Sequence, residues 1–352
     1  MLALAEVGPD DDFFALGGHS LLATRLLGRL RAAFGAEVGV RDVFEASTPA
    51  ALAARLTAAR GPAAPVPPLR RAARPAVLPL APAQQRLWFL DRLEEAGGVY
   101  TIPFAGRFTG PLDADALRAA LADLAARHEV LRTTFPAVDG LARQVVHDDL
   151  GPRLDVVDCG DRAAEDLVAE ACGHRFVLDR EPPLRAWLFR EAPDRHVLLL
   201  LLHHIAADGA SAGPLLRDLA AAYDARRAGR TDDRPALPVQ YADYALWQHA
   251  LLEDGGRAAA QLDFWRAALA GAPPELLLPA DRARTPETGY AAGEVGHALP
   301  AELVAAVRET AREHGGTVFM AFQAAVAALL AHLAPARTCR WARRSRAAAT
   351  TR

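Results

Sequence analysis

The 352-residue chain has no lysine and no asparagine, and its only isoleucines are Ile102 and Ile205. Folding does not demand that bias. All three residue types have AT-rich codons, so their scarcity points to a GC-rich coding sequence. Cysteine is scarce as well: Cys159, Cys172 and Cys339 are odd in number and show no C-x-x-C spacing, which argues against a disulfide framework and against a zinc site. No metal is implied. Long apolar runs are missing, since stretches such as Val197 to Leu202 fall far short of the ~20 residues that cross a bilayer. The first residues carry neither a basic flank nor a small-residue cleavage pattern, so the expectation is a cytoplasmic protein with no membrane partner. Charge of one sign is not in excess either. Forty basic residues against 43 acidic ones leave a net charge of -3, which gives no reason to expect nucleic acid as a partner.

What is present is enough apolar material for a sizeable core, 51% hydrophobic with 24% charged, over a length that suits two or three domains. Residues 1–58 read as a small all-α unit. A helical pattern runs through "SLLATRLLGRLRAAF", breaks at Gly35, and resumes in "RDVFEASTPAALAARL", where Ser47 or Thr48 and Pro49 open a final helix. Residues 59–79 are rich in proline and arginine without an apolar period, and read as an extended linker. Residues 80–335 alternate strand-like segments (Tyr100 to Phe108, Arg143 to Val146, Leu154 to Val157) with helical spacing such as "DADALRAALADLAARHEVLR". That is an α/β pattern. Within it, "RHVLLLLLHH" is an apolar run of strand length and the following "GASAGPLLRDLAAAYDARR" is amphipathic, so a strand delivers His203 and His204 to a loop that opens a helix. "PAELVAAVRETAREHG" and "TVFMAFQAAVAALLAHL" add two more helices, and no internal repeat is present.

Two strings carry chemistry. In "FFALGGHSLL", Phe13 to Leu22, Ser20 stands at a helix start, where serine commonly serves as a cap. Gly17 and Gly18 leave its hydroxyl uncrowded, and a helix N-terminus favours phosphate through its free N–H groups and dipole. An isolated His-His pair at a strand end is usually structural or half of a metal site. The longer strings say more. "DDFFALGGHSLLATRLL" closely resembles the phosphopantetheine attachment motif of peptidyl carrier domains in non-ribosomal peptide synthetases. "HHIAADG", His203 to Gly209, matches an HHxxxDG motif and resembles condensation domains and, more distantly, chloramphenicol acetyltransferase. Three further blocks similar to condensation domains occur in the family's order: "LAPAQQRLWFL" at Leu80 to Leu90, "RHEVLRTTF" at Arg127 to Phe135, and "YADYALWQ" at Tyr241 to Gln248.

The resemblance implies a small all-α carrier bundle, its first helix truncated because only "MLALAEV" precedes the loop. After it comes an α/β condensation domain of the chloramphenicol-acetyltransferase-like fold, with the N-terminal lobe and only the start of the C-terminal lobe. It implies 4'-phosphopantetheine on Ser20, installed by a phosphopantetheinyl transferase. It also implies an upstream adenylation domain, a downstream acceptor carrier, and aminoacyl or peptidyl thioesters as substrates. Because the carrier comes first, Ser20 presents the donor. By the same resemblance His204 is catalytic, accepting a proton from the attacking amine or holding it in line. An α-amine titrates near pH 8, about 7.7–8.0, so the base need not be strong and positioning contributes.

The resemblance also implies Arg132, in "EVLRTTF", as the partner of Asp208; an Arg-carboxylate pair can be bidentate and would fix the loop, and Gly209 is expected to permit a close turn. His203 is expected to be structural, since one of two strand-end histidines must point away from the chemistry. Trp88, Tyr241 and Trp247 read as core packing. Two other readings stand beside this one: a non-catalytic truncated remnant able only to be primed or to dock, and a stand-alone acyltransferase of the related fold.

Residues 336–352, "ARTCRWARRSRAAATTR", gather Arg337, Arg340, Arg343, Arg344, Arg346 and Arg352. They read as an out-of-frame tail. Condensation domains resembling this one continue into a segment similar to "DVPVGTPVAGR", and the tail's codons can encode that segment when read from their third bases. Codons for Cys339 and Trp341 both begin with TG, and the junction of Trp341 with Ala342 forces a glycine in the shifted frame.

Overall fold

The computed structural model describes residues 6–18, 20–34, 38–58, 67–93, 99–253, 257–272, 278–282, 293, 295–314 and 316–333. It divides into two units, one of residues 1–66, 256–288 and 292–352, the other of residues 67–255 with 289–291. The expected truncation before residue 6 and the expected tail from 336 lie outside the described residues, as does Cys339.

In the first unit, the amino-terminal part has three described helices, α1 (Ser20–Phe34), α2 (Val40–Glu45) and α3 (Pro49–Ala58). Phe13, Ala23, Leu27, Val43, Leu52 and Leu56 form its core. Ala23 and Leu27, with the partly buried Leu22, Leu26 and Leu30, recur at helical spacing along "SLLATRLLGRL", which is why that stretch folds as an amphipathic helix. Arg55 of α3 ties down α2 through Asp42 at 2.7 Å and Glu45 at 2.8 Å.

The second unit is a layered α/β structure. In chain order it contains β1 (Leu78–Pro79), α4 (Pro82–Leu93), β2 (Thr101–Thr109), α5 (Ala114–Arg127), a 3-10 turn (Glu129–Arg132), β3 (Thr133–Thr134), β4 (Ala137–Val138) and β5 (Leu141–Val146). There follow β6 (Arg153–Asp158), α6 (Ala164–Cys172), β7 (Leu184–Ala192), β8 (Arg195–His203), α7 (Ala212–Arg227) and α8 (Tyr241–Glu253). The main sheet has the order β2-β8-β7-β6, with β8 antiparallel to both neighbours and β6 parallel to β7. A smaller sheet joins β1, β5 and β3, with β4 also pairing β5.

β8 is buried on both faces, which is why it reads as a continuous apolar run rather than as an alternation. Leu198, Leu200 and Leu202 pack under α5 and α7 with Leu121, Leu124 and Leu219. Val197, Leu199 and Leu201 pack on the opposite side with Phe176, Trp187 and Phe189. Asp113 starts α5 by accepting the N–H groups of Asp115 and Ala116, each at 2.9 Å.

One boundary differs from the expectation. The stretch from Pro67 onward belongs to the second unit rather than to a linker, and Leu78–Pro79 is already a strand, paired antiparallel with Gln144 and Arg143 of β5.

The carboxyl-terminal part of the first unit supplies α9 (Arg257–Leu269), α10 (Ala301–Glu313) and α11 (Val318–Leu333). α11 is apolar yet leaves Phe319 64% and Leu329 56% exposed. No single helix among the described residues is long and apolar enough to cross a membrane.

Candidate active site and carrier attachment site

β8 delivers the two histidines, and its alternation assigns them different surroundings. His203 continues the odd-numbered series into the core. It is 2% exposed and stands edge-on to Phe176, with ring centroids 6.0 Å apart. Its Nδ1 accepts the backbone N–H of Ile205 at 3.1 Å, which leaves the proton on Nε2, 3.4 Å from Asp91 Oδ1 on α4. His204 is the first residue beyond the strand. Its backbone N–H donates to Tyr100 O at 2.7 Å, and its side chain is exposed.

The histidine loop is held from within by α4. Gln84 is 1% exposed, accepts Ala81 N–H at 3.0 Å and reaches Ile205 O at 3.4 Å. Gln84 and Asp91 are seven residues apart, hence on one helix face. Sequence reasoning missed both as supports of the loop, although they sit in or next to the block at Leu80 to Leu90. Trp88, read as packing, also donates its Nε1–H to Phe135 O at 2.8 Å and lies under the Arg92 guanidinium at 4.5 Å.

Asp208 and Arg132 require a correction, because the expected pair is not formed. Arg132 donates to Asp148 Oδ1 at 2.8 Å and to His147 O, and lies 4.0 Å from Glu129. The reason is topological: Thr133 pairs with Val146 across β3 and β5, so residues 147 and 148 fall beside Arg132. The Asp208 carboxylate accepts instead from Ala210 N at 3.0 Å, Ser211 N at 3.1 Å and Ser211 Oγ at 2.9 Å. It shapes the turn into α7. Gly209 differs from expectation too. It does not adopt a positive φ, and a Cβ placed on it would meet nothing within 4 Å, so the turn itself does not demand glycine.

In the carrier, Ser20 is the first residue of the 15-residue α1. The two glycines before it do more than clear space. Gly17 has φ +91°, in the left-handed region. A Cβ on Gly18 would come within 2.4 Å of the Phe13 carbonyl oxygen and ring. Phe13 is in turn fixed by its N–H to Ser47 O at 2.8 Å, and Asp12 accepts Phe14 and Ala15 N–H at 2.8 Å each. The described part of the loop, residues 12–18, is therefore a built turn shortly before α1. A serine starting a helix of this length suits a phosphodiester, because the first N–H groups and the dipole attract negative charge. Among the described residues, no group of three His, Cys, Asp or Glu side chains is placed to hold a metal.

A helical unit with a glycine turn before a serine is followed by an α/β unit whose buried strand β8 runs into HHxxxDG, the arrangement of a carrier joined to a condensation domain. Residues 75–339 match the Condensation domain family model, and residues 1–56 match that of the Phosphopantetheine attachment site. The chain belongs to the condensation-domain family and carries a phosphopantetheine attachment domain ahead of it, whose cofactor is covalently attached 4'-phosphopantetheine.

It is 45% identical over 339 residues to a dimodular nonribosomal peptide synthase of Bacillus subtilis, covering 95% of this chain and 14% of that protein. It is also 45% identical over 343 residues to an isonitrile lipopeptide synthase of Mycobacterium tuberculosis, covering 93% and 14%. Among solved structures, the X-domain from teicoplanin biosynthesis is similar, with 42% identity and a TM-score of 0.69 over 76% of this chain and 60% of that one. The chain thus spans about one seventh of these two curated relatives.

Proposed function

We propose that the chain acts in cytoplasmic non-ribosomal peptide synthesis, with a donor on Ser20 of the carrier delivered to His204 of the condensation domain. Phosphopantetheine supplies the thiol on which an aminoacyl or peptidyl group is held as a thioester. The observation that carries the reading is the split between the two histidines: His203 is locked in the core, whereas His204 is exposed at the strand end with its backbone pinned to Tyr100. In this reading His204 receives or orients the amine proton of the acceptor, and His203, Asp91 and Gln84 hold the loop's shape. Asp208 sets the start of α7, and Arg132 braces the neighbouring β3–β5 corner. The partners are a phosphopantetheinyl transferase, an upstream adenylation domain and a downstream acceptor carrier. Residues 1–58 serve as carrier, and the condensation domain takes in the segment from Pro67 onward.

A second reading, a chain that is primed and docks without forming the bond, is favoured by the exposed apolar side chains of α11. A chain loaded with a donor thioester and mixed with an aminoacyl acceptor carrier separates the two. Peptidyl product that disappears in His204→Ala supports the first reading, and no product from the wild type supports the second.

A further inference from the structure

The block "YADYALWQ" lies on α8, away from the histidine loop in sequence, and its Asp243 and Trp247 bond to the segment that enters the second unit. Trp247 Nε1–H donates to Pro67 O at 2.6 Å. Asp243, wholly buried, accepts Ala72 N–H at 3.3 Å and lies 3.9 Å from Arg74 Nε. Arg74 continues to Glu129 at 2.6 Å. Asp243 and Trp247 are four residues apart, so both present to one side of the helix. The segment itself, residues 67–75, has no helix or strand of its own. An unstructured chain held at three points by a buried carboxylate, an indole N–H and an ion pair is anchored rather than resting.

We infer that this block is the anchor of the carrier tether, and that Asp243 and Trp247 are positioning residues that limit how far the carrier travels. The consequence follows from chain length. From Ala58, the end of α3, to the first anchored residue, Pro67, are nine residues, which span at most about 32 Å at ~3.6 Å each. Without the anchor the tether would run to Leu78 of β1, twenty residues and about 72 Å. Shortening a tether raises the effective concentration of what it carries, provided that the span is still reached. The anchor stands on the contacts alone; its role in donor delivery rests on the proposed function.

The test uses the full chain and compares wild type with Asp243→Ala and with the double variant Trp247→Phe, Arg74→Gln. Amide exchange is read at Ala72, and trypsin cleavage after Arg70 and Arg71. Both should accelerate about tenfold or more on loss of charge-assisted hydrogen bonds, while exchange in β2, β7 and β8 stays unchanged. Equal exchange at Ala72 in all three proteins overturns the anchor, as does exchange that rises together with that of the core strands, which would make the block mere packing. Donor transfer is then compared for the attached carrier and for a separately supplied carrier. The variants should slow only the attached one, and equal effects on both would overturn the positioning role. If the wild type transfers nothing, the proposed function fails, and the exchange experiment still decides the anchor.

Discussion

Asp208 and Ser211 hydrogen-bond to one another across the turn that precedes α7: Asp208 N–H donates to Ser211 Oγ at 3.0 Å, while Ser211 N–H and Oγ–H donate to Asp208 Oδ1 at 3.1 and 2.9 Å. This local reciprocity stands where a long-range ion pair to Arg132 was expected. It makes the energetic question sharp. Asp208→Ala should cost about 1.5–3 kcal/mol, the range for hydrogen bonds to a charged group, rather than the ~3–5 kcal/mol expected had Arg132 been its buried ion-pair partner. Urea titration of the wild type and the variant measures the difference, and a loss above about 3 kcal/mol would favour a buried pair.

Ser20 should be the single position at which a phosphopantetheinyl transferase loads the chain, because among the described residues it alone follows a glycine pair at a helix start. Intact mass should rise by one arm with coenzyme A and transferase. Ser20→Ala should abolish the gain, and a second arm elsewhere would contradict the assignment.

Gly18 and Gly209 should behave oppositely on replacement by alanine. A methyl at Gly18 meets the Phe13 carbonyl oxygen at 2.4 Å, and overpacking of that kind costs ~1–3 kcal/mol, enough to reduce loading of Ser20. A methyl at Gly209 meets nothing, so stability should stay within about 0.5 kcal/mol. Thermal melts with a loading assay check both, and a destabilised Gly209→Ala would contradict the open turn.

Acid should weaken the second unit through carboxylates held below their usual pKa, Asp218 and Asp232 among them. Asp218 accepts from His128 Nε2 at 2.6 Å, Arg127 Nε at 3.0 Å and Arg234 at 2.5 Å. Burial alone would raise its pKa, but the hydrogen bonds from His128 and Arg127 and the charge on Arg234 outweigh that and hold it below the usual value. The Arg234 hydrogen bond lowers Asp232 from 3.8 to about 2, against burial. A depressed carboxylate stabilises the fold above its unfolded pKa and loses that contribution as pH falls through its folded pKa. Melting temperature should therefore drop between about pH 4 and pH 2, and Asp232→Asn should flatten that slope. An unchanged slope in the variant would remove Asp232 from the account.

Much of the architecture was legible because it follows from short-range periodicity. The apolar run of β8, the amphipathic pattern of α7 and the glycine-serine turn before α1 are local facts, and motif order along the chain carried the family resemblance. β7, "LRAWLFREA", was not legible as a strand. Its place beside β8, with β6 parallel on its far side, is a property of the sheet rather than of its own pattern. Trp247 shows the same limit, since an indole at helical spacing looks like packing until the Pro67 carbonyl is placed against its N–H.

The sequence by itself determined which side chains are available: a serine at a helix start, two histidines at a strand end, and the alternation that assigns them different surroundings. Only the tertiary structure decided their partners. The β3–β5 register drew Arg132 to Asp148, Asp208 closed on Ser211 within its own turn, and Gln84 and Asp91 reached the histidine loop from another helix. Periodicity fixes the direction in which a side chain points, whereas a hydrogen bond between residues 112 or 121 positions apart exists only once the chain between them has packed.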